Sequence, residues 1–260
     1  MALKIAILGS GSKGNCSLLS DGRTSILIDA GLAPTAIVKR LSDFGLDLSD
    51  IDGLLLTHEH DDHIRAVEQI APFLHVYSHP DTLDAVEKRQ RVPLHSRMEI
   101  GEEEFSIGTL DIRPFRVSHD AAHPFGFSVK DFETKVTYMT DTGYVSKGML
   151  SVAKGSDLVV LESNHDKDLL TRGVYPYYLK RRILSDQGHL SNEESALAAY
   201  DLIESGAKRI VLAHLSEQNN LPELAYWTTE NYLSSKGVTS SDCALEVAKQ
   251  WSTTFVDLSK

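Results

Sequence analysis

Thr57-His58-Glu59-His60-Asp61-Asp62-His63 packs three histidines and interleaved carboxylates into seven residues. The apolar run Gly53-Leu54-Leu55-Leu56 before it reads as a buried strand, and residues 64–70 after it read as a helix. The cluster therefore stands at the C-terminal edge of a strand, where α/β sheets place their chemistry. On extended chain His58 and His60 point the same way. Asp62 and His63 follow as the chain turns into the helix. Imidazole with carboxylate suits a borderline transition metal such as zinc, and manganese also fits. The competing reading of this stretch is a solvated polar loop.

Three more candidate ligands close apolar runs farther along. His119 follows Val117-Ser118, Asp141 follows residues 136–140, and His214 follows Ile210-Val211-Leu212-Ala213. A lone histidine at a strand end usually has a structural role. Beside the first cluster, these three read as further ligands. Seven ligands exceed what one tetrahedral ion needs, which predicts two ions.

The elements that must position these residues follow from periodicity and turn chemistry. Strands are expected near 3–8, 14–20, 24–29, 53–57, 75–78, 104–107, 109–118, 126–132, 135–140, 157–162, 208–213, 243–248 and 253–257. Helices are expected near 33–43, 64–73, 81–90, 147–154, 191–205 and 221–235. Asp21-Gly22 between apolar runs signals a hairpin. Ser191 with Glu194 forms a capping-box pattern. Many hairpins in the first half and helices throughout suggest two sheets packed face to face with helices outside. No linker divides the chain, so 1–260 reads as a single domain.

Bulk properties narrow the function classes. The chain has 260 residues, 42% hydrophobic and 24% charged, an ordinary globular balance. It has no run of about eighteen apolar residues, the length a membrane helix needs. The N-terminus, Met1 to Leu8, enters a strand pattern with no signal-peptide core. Cys16 and Cys243 give no disulfide framework, and free thiols fit a cytoplasmic chain. A net charge of −11 argues against general coating of nucleic-acid phosphates but leaves room for a local basic groove. Gly9-Ser10-Gly11-Ser12-Lys13-Gly14 matches a dinucleotide fingerprint, yet the chain reaches the Asp21-Gly22 turn too soon for a crossover helix. A tight loop that brings backbone N–H groups near the metals fits better, with Ser10, Ser12 or Asn15 available to substrate. Simple turn chemistry remains open for these side chains.

His58-x-His60-x-Asp62-His63, His119, Asp141 and His214 are similar in order and spacing to the motifs of the metallo-β-lactamase family, and Asp29 in Ile28-Asp29-Ala30-Gly31 matches its structural carboxylate. The resemblance implies a four-layer αββα sandwich, α/β in class, with metals at one edge. It implies His58, His60 and His119 on one ion, Asp62, His63 and His214 on the other, and Asp141 on both. Two dications about 3.5–4 Å apart can ionise a bridging water for attack on a phosphoryl or carbonyl group. Asp62 can ligate and orient that nucleophile.

Glu162, at the end of Leu158-Val159-Val160-Leu161, and His189, in Gly188-His189-Leu190-Ser191, resemble the acid and histidine of the phosphodiesterase and nuclease branch. There the histidine contacts the scissile phosphate or protonates the leaving oxygen, and the acid orients it. A helix-entry residue and a surface strand end are the bland alternatives for the pair. Between them, residues 172–182 interleave Tyr175, Tyr177 and Tyr178 with Arg172, Lys180, Arg181 and Arg182, a composition suited to single-stranded nucleic acid. A solvated helix face is the competing reading.

The opening loop, Ser118-His119-Asp120 and Gly188-His189-Leu190-Ser191 look most like the bacterial YycJ/WalJ (VicX) group. That resemblance implies a DNA exonuclease with two divalent ions, zinc or manganese, and a nucleic-acid substrate. The alternatives are a hydrolase of a small ester, thioester or lactam, and a non-catalytic metal-binding regulatory partner.

Overall fold

The structure is a computed structural model that describes residues 3–258. Met1 and Ala2, where the reading of the N-terminus begins, lie outside the described residues. The chain divides into two compact units. The first comprises the described residues through Arg116, Ala121–Thr134 and those from Lys249 onward. The second comprises Val117–Asp120 and Lys135–Ala248.

The first unit is built on β1 (Lys4–Gly9), β2 (Cys16–Ser20), β3 (Ser25–Ile28), β4 (Gly53–Leu55), β5 (Val76–Ser78), β6 (Arg97–Glu99) and β14 (Thr254–Asp257). They form one seven-stranded sheet in the order β14-β1-β2-β3-β4-β5-β6. β2 and β3 make the expected hairpin, with Ser20 opposite Ser25 and Gly22 at φ 85° in its turn. β3, β4, β5 and β6 are parallel, with Ile28 level with Leu55. Parallel pairing puts the residues just after β3 and β4 on one sheet edge. β7 (Phe105–Ile107), β8 (Leu110–Arg116) and β9 (Phe125–Lys130) form an antiparallel meander. Leu8, Leu18, Leu27, Leu54, Ile64 and Val67 share one buried cluster with Ile37 and Leu41 of the Pro34–Ser42 helix. Each such side chain contributes about 1.5–3 kcal/mol by leaving water.

The second unit carries β10 (Lys135–Met139), β11 (Leu158–Glu162), β12 (Arg209–Ala213) and β13 (Ala244–Val247), all parallel. β11 is buried at every position, as a strand covered on both faces must be. Its neighbours place Met139, Glu162 and Ala213 at one edge. The Asn192–Glu204 helix starts at Ser191 with the expected reciprocal cap to Glu194.

The expected helix over 64–73 is instead three short pieces: Asp61–Ile64, Val67–Ile70 and a 3-10 turn at Ala71–Phe73. Ala66 N–H is taken by the Ala30 carbonyl at 2.8 Å, and Pro72 has no N–H to offer. Among the described residues, four elements escaped the periodicity: the 3-10 turn Leu48–Asp50, β6, and the helices Lys167–Arg172 and Tyr177–Ile183. β6 is a short polar edge strand with no apolar run to betray it. No helix among the described residues is long and apolar enough to cross a membrane.

Candidate functional site

In the first unit, the edge shared by β3 and β4 assembles the HxHxDH cluster around Asp29. Asp29 is fully buried and adopts a left-handed φ of 59°. Its carboxylate accepts from Thr57 N–H at 2.9 Å and lies 2.7 Å from His63 Nδ1. Burial pushes the Asp29 carboxyl up, and the His63 charge and hydrogen bond oppose that rise. The Thr57 hydroxyl sits 2.9 Å from His58 Nδ1. His58 lies edge-on to His60, with ring centroids 4.6 Å apart, and 4.1 Å from the His63 ring. Asp62 Oδ2 is 3.5 Å from His63 Nε2.

The glycine loop before β2 differs from expectation at two residues, Ser10 and Asn15. Ser12 is exposed and Ser10 is buried, while Asn15 has no exposed surface at all. Asn15 N–H donates to the Asp62 carbonyl at 2.8 Å, and its side-chain oxygen accepts from Gly11 N–H at 2.8 Å. Its amide nitrogen is 3.2 Å from His63 Nε2. Asn15 therefore positions Asp62 and His63 rather than facing substrate. Gly31 closes the same corner: a Cβ there would stand 1.6 Å from the Asp62 carbonyl oxygen.

In the second unit, Glu162 organises the edge. It is fully buried, with Oε1 2.8 Å from Nδ1 of His189 and 2.8 Å from Nδ1 of His214. Its Oε2 accepts from Thr142 N–H at 2.8 Å. Burial alone would raise the Glu162 carboxyl, but the charge and hydrogen bonds of His189 and His214 hold it far below the usual carboxylate range. His119 Nδ1 donates to the Gly188 carbonyl at 3.0 Å, and His119 Nε2 lies 3.7 Å from Asp141 Oδ1. Asp141 and His214 share the left-handed backbone of Asp29, with φ of 58° and 57°. Donor atoms of Asp141, Glu162, His189 and His214 all lie within 4.8 Å of one another.

These donor sets fit divalent metal. A metal-bound histidine typically gives its second nitrogen to a carboxylate or carbonyl that fixes tautomer and ring angle. His63 has Asp29, His214 has Glu162 and His119 has the Gly188 carbonyl in that place. Nε2 of each ring is then the nitrogen that faces a ligand position. Non-glycine residues held in left-handed backbone cluster at functional sites, and Asp29, Asp141 and His214 all border these donor sets.

The three expected cations are placed unequally. Lys180 Nζ donates to the carbonyls of Thr171 and Gly173 at 2.8 and 2.7 Å. Arg182 forms a two-pronged pair with Asp120, one arm at 2.8 Å. Arg181 stands over the Tyr177 ring, 6.0 Å from its centroid.

Thr57, Thr142 and Asp120 are positioning residues that the sequence reading passed over. Each is next to or one removed from a ligand, which was their only signal. His165 was also passed over: it is 1% exposed, and neither ring nitrogen has a hydrogen-bond partner among the described residues. Burial lowers its pKa to about 4. His79, Asp81 and His123 form one more ligand-like group, in the first unit. There the two imidazoles stack at 3.4 Å and 8°, so their in-plane lone pairs run side by side and do not converge. The Arg116 guanidinium, 2.6 Å from His123 Nδ1, further disfavours a cation.

Residues 24–215 match the model of a β-lactamase superfamily domain. The chain belongs to this family. It is 40% identical over 242 residues to a protein named Exodeoxyribonuclease YycJ from Bacillus anthracis, covering 91% of each chain. It is 38% identical over 240 residues to one named Exodeoxyribonuclease WalJ from Streptococcus pneumoniae, covering 90% of this chain and 89% of that one. The metallo-β-lactamase fold protein YhfI from Bacillus subtilis superposes with a TM-score of 0.75 at 17% identity, over 98% of this chain and 100% of that one. That likeness shows the fold: α/β, with mixed sheets flanked by helices. As a member of the superfamily, the chain is a metal-dependent hydrolase, and its His/Asp clusters are built for divalent metal.

Proposed function

We propose that this metallo-β-lactamase-family chain is a phosphodiesterase that hydrolyses nucleic acid, a cytoplasmic DNA exonuclease working as one domain. The observation that carries the reading is the buried Glu162 carboxylate 2.8 Å from His189 Nδ1. A thioester expels a thiolate that leaves without a proton, whereas a phosphodiester has a poor leaving oxygen that an acid–histidine pair can protonate. The names of the relatives at 38–40% identity support the same substrate class.

We assign His58, His60, Asp62, His63, His119, Asp141 and His214 to two divalent ions, zinc or manganese, with the partition the family resemblance implies. Bound ions would supply an ionised water and positive charge for the phosphoryl oxygens. Asp62 orients the attacking oxygen, and Asn15 and Gly31 hold Asp62 in place. Glu162 fixes the His189 ring through Nδ1, so Nε2 is the atom that hands a proton to the leaving oxygen. Ser12 and the cations Lys180, Arg181 and Arg182 are the proposed substrate contacts, with Arg181 the least engaged within the protein.

The test is to offer metal-loaded protein single- and double-stranded DNA, RNA, a chromogenic phosphodiester and a thioester. Stepwise release of mononucleotides from DNA is the expected result. Thioester turnover with no phosphodiester cleavage would overturn the reading.

A further inference from the structure

Residues 184–189 of the second unit, which end in His189, form neither helix nor strand, and residues 184–187 are exposed. Burial does little to fix them, and ordering an irregular stretch costs conformational entropy. Cross-bonds from the chain beside them hold it instead. Ser118 Oγ donates to the Asp186 carbonyl at 2.7 Å. His119 Nδ1 donates to the Gly188 carbonyl at 3.0 Å, and Asp120 N–H to the Gln187 carbonyl at 3.1 Å. Three consecutive residues thus meet three consecutive carbonyls, and the middle donor is a proposed metal ligand.

The same stretch is tied on its other side to the end of the Tyr177–Ile183 helix. Ser185 N–H donates to the Arg182 carbonyl at 3.2 Å, and His189 N–H to the Ile183 carbonyl at 3.0 Å. The backbones approach so closely at Gly188 that a Cβ there would stand 2.1 Å from the Ile183 carbonyl oxygen. Arg182 completes the frame by pairing with both oxygens of Asp120 through Nε and Nη2. Glu162 sets the rotation of the His189 ring through Nδ1. The backbone sets where that ring stands, and the backbone is stapled from Ser118 and Asp120. The His119 and His189 rings lie 4.9 Å apart, centroid to centroid.

We propose that Ser118 and Asp120, on either side of His119, are positioning residues for proton transfer from His189. They join the metal-holding and proton-giving sides of the second unit so that neither shifts without the other. This rests on the nucleic-acid reading above and adds to it how the acid is kept in reach of the leaving oxygen. General-acid assistance is worth about 10²–10⁴-fold, and misplacing a group by about an ångström forfeits up to about a hundredfold.

The experiment uses two phosphodiesters that differ in leaving group: a thymidine dinucleotide and the p-nitrophenyl ester of thymidine monophosphate. Nitrophenolate leaves without a proton, whereas the sugar oxygen must gain one. Metal-loaded wild type, Ser118→Ala, Ser118→Thr and Asp120→Ala are compared, with metal content read by elemental analysis and the fold by melting temperature. Ser118→Ala and Asp120→Ala should each lower kcat on the dinucleotide roughly ten- to a hundredfold, with KM and metal content near wild type. Cleavage of the nitrophenyl ester should change by less than about threefold, since it needs no acid. Ser118→Thr keeps the hydroxyl and should restore dinucleotide cleavage. Equal losses on both esters, loss of bound metal, unchanged kcat on the dinucleotide, or failure of threonine to rescue would each overturn the positioning role while leaving a nuclease. Wild type that cleaves the nitrophenyl ester but neither the dinucleotide, DNA nor RNA would instead remove the nucleic-acid reading, and the positioning role with it.

Discussion

At the residue scale, Glu162 pairs with two imidazoles, one proposed for proton transfer and one for metal holding. Glu162 contacts His189 and His214 through the same oxygen, but only His214 is assigned to an ion. His189→Ala should therefore cut phosphodiester cleavage by about 10²–10⁴-fold while metal content, read by elemental analysis, stays at the wild-type level. Equal activity in variant and wild type would leave His189 a helix-entry residue. His165 makes a different prediction. Its pKa is about 4 in the fold against 6.5 for a free histidine, so the unfolded chain takes up the proton first. Its contribution to stability is complete above pH 6.5 and is lost as pH falls toward 4, an acid penalty of at most about 3 kcal/mol. Denaturant melts between pH 7 and 4 should show a shallower loss in His165→Phe than in wild type. The candidate ligands were legible because their types and strand-end positions are written in the chain. His165 and Asn15 were not, because burial of a polar side chain is decided by what packs over it.

At the element scale, parallel strands ending level with one another turn separate motifs into a common edge. β3 and β4 bring Asp29 to Thr57, and β11 with β12 bring Glu162 to His214. Apolar runs made those strands readable. The Tyr177–Ile183 helix was not readable, since its outward side chains follow no amphipathic period and it starts at Pro176 without a side-chain cap. The Lys167–Arg172 helix did carry a signal, Asp166 accepting from Leu169 N–H at 2.8 Å, but its six residues are too few for a period to show. Gly31 tests how tightly the first edge is held. Its missing side chain is replaced by the Asp62 carbonyl, which an added Cβ would meet at 1.6 Å. Gly31→Ala must push Asp62 away, so stability should fall by about 1–3 kcal/mol and divalent-metal affinity should fall as well. Calorimetric titration with manganese and a urea melt of the same variant would check both. An unchanged affinity would show that Asp62 can move without loss.

At the scale of the whole molecule, the acidic balance and the metal chemistry act together. Carboxylates and imidazoles converge at two ligand-rich edges, one in each unit, and bound dications would offset the acidic charge. An ion that binds the folded chain but not the unfolded one stabilises it by mass action, about 2.7 kcal/mol at a hundred times its dissociation constant. Chelation should lower Tm by several degrees, and manganese or zinc should restore it in a concentration-dependent way. An apo protein that melts at the holo temperature would mean that the ligand edges hold no ion tightly.

The left-handed backbone at Asp29, Asp141 and His214 also determines when the site is made. Such a conformation costs an L-residue roughly 1–2 kcal/mol, and here it is held by strand ends and buried hydrogen bonds. Folding settles that cost before any ion arrives. Metal capture then resembles filling a socket more than closing a hand. For the same reason alanine is a poor probe at these three positions, because it changes the backbone preference along with the ligand. Asparagine, which tolerates left-handed backbone, isolates the lost donor.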